Sequence, residues 1–106
     1  MSFIYETKAY ASKTITVSNT ALTMTTMGFT ASQLSQAKRA LITVSTAAGV
    51  RMTYDGTTPT AALGHLLIGT VASIYIEGNL NIRNLQFIRA TGADSEVAIT
   101  LETDLG

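Results

Sequence analysis

The sequence predicts an all-β protein, mostly strand with one short helix, arranged as an antiparallel β-sandwich or small jelly-roll-like barrel. Three observations carry this. Several windows alternate apolar and polar residues with period two, the pattern of strands with one face buried. Turn signals recur at Gly49, Asp55-Gly56, Gly64, Gly69, Gly78-Asn79 and Gly92, a spacing that suits six to eight strands joined by hairpins. Only one stretch has helical spacing, so nothing is available to cover a parallel sheet.

The strand windows follow in order. In KTITVS, Ile15 and Val17 share a face, with Thr14, Thr16 and Ser18 opposite. In ALTMT, Leu22 and Met24 alternate with threonines. VRMTY places Val50, Met52 and Tyr54 together, and SIYIE buries Ile74 and Ile76. EVAITLE buries Val97, Ile99 and Leu101 and leaves Glu96, Thr100 and Glu102 in water. ALITVST is more apolar and reads as a central strand.

The helical exception is FTASQLSQAKRA. Thr30 and Gln33 form a capping-box pattern, and Phe29 with Leu34 sit where a hydrophobic staple belongs. The helix is predicted over residues 31–38 and runs directly into a strand at 40–46. In NLNIRNLQFIRA, Leu85 and Phe87 fit a strand while Ile82 is out of phase, which predicts a bulge or turn near Arg83–Asn84.

The chain of 106 residues reads as one domain, 1–106, with residues 1–12 a candidate extended arm. It has no cysteine, so neither a disulfide nor a thiolate metal site staples it. Seven basic and seven acidic residues cancel, against the basic excess of a nucleic-acid binder. The start, MSFIYETKAY, lacks the apolar core of a signal peptide, and no run is long enough for a membrane helix. No nucleic-acid or membrane partner is expected.

Charged residues are 13% of the chain, against about 25% in a typical domain. A small β-protein with so few charges is expected to cover part of its surface with partners, as a homo-oligomer or in an assembly.

The segment YDGTTPTAALGHLL, residues 54–67, contains the only proline and the only histidine. Asp55 and His65 are two potential metal ligands, but a structural site needs four and a catalytic one three. Asp-Gly is a tight-turn pair, and Pro59 stiffens the same loop. His65 is the sole candidate base for a serine nucleophile, and no nucleophile elbow or phosphate-binding glycine run is present. Glu77, Glu96 and Glu102 read as solvated strand faces rather than a carboxylate pair. Arg83 and Arg89 flank NLQFI, where contact with a partner is favoured over base stacking because Phe87 reads as core. No catalysis, no cofactor and no metal are expected. The candidate interface residues are Tyr10, Asp55, Pro59, His65 and Tyr75.

The ordered set of an RALITV strand, R-x-x-Y-DGTTPT-x-x-x-GH-L-L and a closing NLQFIRATGADSEVAITLE spans roughly residues 29–102. It resembles a group of small proteins encoded among the virion genes of tailed bacteriophages, although the segment from Gly69 to Ser73 lacks their acidic turn. The resemblance implies a virion structural role of the capsid cement or decoration type. Such a protein binds the head surface, clamps neighbouring copies of the major capsid protein, is often a trimer, and assembles in the host cytoplasm. The alternative is a tail, baseplate or fibre component, with Tyr10 and Tyr75 as the aromatic residues for a host glycan.

Overall fold

A computed structural model describes residues 7–69 and 72–104. The sequence-based expectation of a mostly β chain in antiparallel sheets is met. In chain order the elements are β1 (Thr7–Val17), β2 (Leu22–Thr23), α1 (Ala31–Gln36), β3 (Arg39–Val44), β4 (Val50–Thr53), β5 (His65–Leu67), β6 (Ala72–Glu77), α2 (Asn79–Arg83), β7 (Gln86–Arg89) and β8 (Ser95–Asp104). They form two four-stranded sheets, ordered β1-β8-β3-β6 and β2-β7-β4-β5. All pairings are antiparallel. Except at β4–β5, consecutive strands alternate between the sheets, which joins both halves of the chain into one core.

Period-two patterning sets the layers. Ala40, Ile42 and Val44 of β3 align with Leu101, Ile99 and Val97 of β8, and all six are fully buried. Ile74 and Ile76 continue these rows on β6, packed against the same cluster. The second sheet supplies Val50, Met52 and Phe87, and the chain between strands adds Met24, Met27, Phe29 and Ile82. Each such side chain contributes about 1.5–3 kcal/mol of burial energy.

The capping box at α1 is complete. Thr30 Oγ1 accepts from the Gln33 amide at 3.1 Å, and Gln33 Oε1 accepts from the Thr30 amide at 3.0 Å. The helix ends at Gln36, two residues short of the predicted bound, because the chain extends at Ala37 to enter β3. The Asn79 amide closes its exposed end, donating at 2.8 Å to the carbonyls of Leu34 and Ala37.

Four expectations are corrected. Residues 79–83 form a helix, α2, rather than only a bulge or turn, and Ile82 is its buried residue. Glu102 is buried, because Arg39 and Thr7 both bond to it. Tyr54 leaves the apolar face of β4 and is exposed. Of the arm at 1–12, residues 7–12 belong to β1, where Thr7–Ala9 oppose Asp104–Glu102. Residues 1–6 lie outside the described residues.

Candidate functional site

The segment joining β4 to β5 is a braced loop beside an open sheet edge. Arg51 reaches from β4 and donates to two loop carbonyls, Ala61 at 3.2 Å from Nε and Gly64 at 3.1 Å from Nη1. Thr60 and Leu63 exchange backbone hydrogen bonds at 3.0 and 3.1 Å, closing a small turn at the loop tip. Gly64 re-enters the sheet at φ 124°, where a side chain would press on the β4 backbone. The loop geometry is therefore held by the chain's own contacts.

Asp55 and Gly56 form the turn after β4. Asp55 Oδ1 accepts from the Thr57 amide at 3.0 Å, and Gly56 takes φ 91°. The bond to the Thr57 amide holds the Asp55 carboxyl below its ordinary range. The His65 ring stacks on Tyr54, with centroids 5.8 Å apart and an interplanar angle of 24°. Tyr54, Asp55, Leu63 and His65 line a shallow cleft of about 450 Å³. No group of three or more metal-ligating side chains occurs among the described residues.

The other candidate residues lie elsewhere. Pro59 is buried within the loop and is not presented to a partner. Tyr10 is the extra residue at the register shift in β1, packed against the core with its hydroxyl donating to the Gln33 carbonyl. Burial raises its phenol pKa. Tyr75 is 49% exposed on β6, and the Arg39 guanidinium lies 4.0 Å from its ring centroid. Tyr10 and Tyr75 thus sit on strands at opposite edges of one sheet, one turned to the core and the other to solvent, and do not combine into one aromatic platform. Arg39 stands between Glu102 and Glu77 in the strand register, which separates those two carboxylates with a cation. Phe87 is fully buried and Arg89 pairs with Asp94 at 2.9 Å, so neither is free to hold a base.

Sequence reasoning missed β5 and its apolar fringe. Tyr54, Leu63, Leu66 and Ile68 are 38%, 49%, 44% and 55% exposed, and all belong to the end of β4, the loop or the β5 margin. The signal was present in LGHLLIG, a run of aliphatic residues without charge. It reads as core until the topology places it at an edge.

Comparison of the chain with family models, with curated proteins and with solved structures finds no match.

Proposed function

We propose that this chain is a structural component of a tailed-bacteriophage virion, a capsid cement protein that binds the head shell and clamps neighbouring subunits of the major capsid protein. The observation that carries the reading is the cluster of four exposed apolar side chains on the braced β4–β5 segment, Tyr54, Leu63, Leu66 and Ile68; the other two large exposed ones among the described residues, Tyr75 on β6 and Leu80 on α2, stand apart from it. A monomer gains nothing by exposing them, and such clustering is the usual mark of a contact surface. The low charge content supports the same reading. So does the strand order, β1-β8-β3-β6 over β2-β7-β4-β5, which we read as a jelly roll, an architecture common in capsid proteins. The sequence resemblance supplies the head shell as the surface.

The mechanism is multivalent clamping. Loop residues 55–65 of each copy contact a capsid subunit, and several weak contacts made by one oligomer combine into firm attachment. Because the chain binds the assembled shell and not its separated subunits, occupancy stabilises the shell by mass action.

The test is add-back to heads from a phage lacking the gene. Saturable co-sedimentation with heads, and a higher disruption temperature for occupied shells, support the proposal. Binding to tails with none to heads contradicts it and points to a tail component.

A further inference from the structure

The four strands at the sheet edges are not protected alike. β1 carries a register shift at Tyr10 and the cations Lys8 and Lys13, β2 has two residues, and β6 ends in Glu77 with the Arg39 guanidinium over its Tyr75. Charges, irregularities and shortness are the usual guards against edge-to-edge pairing. β5 is short too, with three residues, but it carries neither a charge nor a register shift and pairs only with β4. Its margin carries Leu63, Leu66 and Ile68, all exposed, with Leu67 packed inward against the core. From Gly56 to Ile76, a span covering the loop, β5 and nearly all of β6, no Asp, Glu, Lys or Arg occurs.

We propose that the β5 edge pairs antiparallel with the β5 edge of a second copy of this chain, about a two-fold axis at Leu66. This rests on the reading of the β4–β5 segment as a contact surface and names the occupant of its edge. Charge selects the occupant. In a two-fold contact each residue meets its own counterpart or a near neighbour, so any charge near the axis would meet its like. This edge has none. Antiparallel addition also repeats on the open side of β5 the pairing it already makes with β4.

The area fits a weak dimer. The exposed parts of Tyr54, Leu63, Leu66 and Ile68 fall well short of the about 800 Å² per partner of a stable interface. The remainder must come from the β5 backbone and the adjoining loop, which places the contact at the small, transient end of the range. The expected species is a dimer in equilibrium with monomer, not the trimer that the sequence resemblance implies.

The experiment is sedimentation equilibrium of the full chain from about 5 to 500 μM, for the wild type and for Leu66→Glu, Leu66→Lys and an equimolar mixture of the two. Circular dichroism checks the fold of each, and Ile68→Glu with Ile68→Lys replaces the pair if either fails to fold. The inference predicts a wild-type dimer weakened at least tenfold by each single charge. It also predicts recovery in the mixture, because opposite charges then meet across the axis. A wild type that is monomeric throughout, a trimer, or a dimer indifferent to both charges overturns it. A trimer, or a dimer indifferent to both charges, overturns the β5 pairing and leaves head binding untouched; a chain monomeric throughout also removes the multivalent part of the clamp, while add-back to heads still decides whether the chain binds the shell.

Discussion

Arg39 donates two hydrogen bonds to one oxygen of Glu102, from Nε at 3.2 Å and from Nη2 at 2.8 Å, across the β3–β8 ladder. The Thr7 hydroxyl donates to the same oxygen. Three strands, β1, β8 and β3, are thereby joined on the face away from the core. Arg39 also covers the ring of Tyr75 on β6, so the row spans all four strands of the sheet.

Replacing Glu102 with Gln removes the charge while keeping the shape. The buried position then lacks the anion that its donors were placed to meet, a loss of about 1–2 kcal/mol. Urea denaturation should show a lower midpoint with an unchanged slope.

Acid should weaken the fold through the same group. The Thr7 hydroxyl, and after it Arg39, hold the Glu102 pKa below its ordinary 4.5. A carboxylate with a depressed folded pKa contributes stability that is present above about pH 4.5 and is lost as pH falls through the folded value. Asp55 shifts in the same direction through the Thr57 amide. Wild-type stability should therefore fall below pH 4.5, and Glu102→Gln should show a shallower decline over that range.

Two glycines should respond oppositely to alanine. A Cβ at Gly69 would stand 2.4 Å from the Val44 carbonyl oxygen and 2.7 Å from the Thr46 nitrogen. Neither backbone atom can move without breaking the β3 end, so Gly69→Ala should lose at least 3 kcal/mol, roughly the upper range for a single change. At Gly92 a Cβ would meet nothing within 4 Å. Gly92→Ala should be neutral or stabilise by up to about 1 kcal/mol by restricting the unfolded chain. Thermal melts of the two variants decide both.

Thr30→Ala removes the acceptor for the Gln33 amide and should cost about 1 kcal/mol. Thr26→Ala, in the turn just before, is a useful comparison. Its hydroxyl accepts from the Thr23 amide at 2.7 Å and donates to the Thr23 carbonyl at 2.9 Å, but it caps no helix, so its loss should be smaller.

The strands with one apolar face were legible because burial alone dictates their alternation. The capping box was legible because both partners lie within four residues. What escaped depends on distant neighbours. Nothing around Gly78-Asn79 announces α2, since the Asn79 side chain satisfies carbonyls of α1 more than forty residues earlier and Gly78 offers no side-chain cap. Glu102 has the spacing of a solvated residue and is buried only because Arg39 and Thr7 converge on it. At the candidate surface, the Asp55 turn follows from the Asp-Gly pair itself. The partial burial of Tyr10 was not legible because it goes with a register shift that the local pattern does not show. The β5 edge was hidden because an aliphatic run has the same composition in a core as at an unguarded edge.

The most direct measurement is a cryo-electron microscopy reconstruction of the virus particles in which the proposed function would place the chain. The proposed function predicts density for an eight-stranded sandwich on the outer head surface, at junctions between capsid subunits, with residues 55–65 against the shell. The same sandwich in the tail or baseplate, or a particle that contains none, would contradict it.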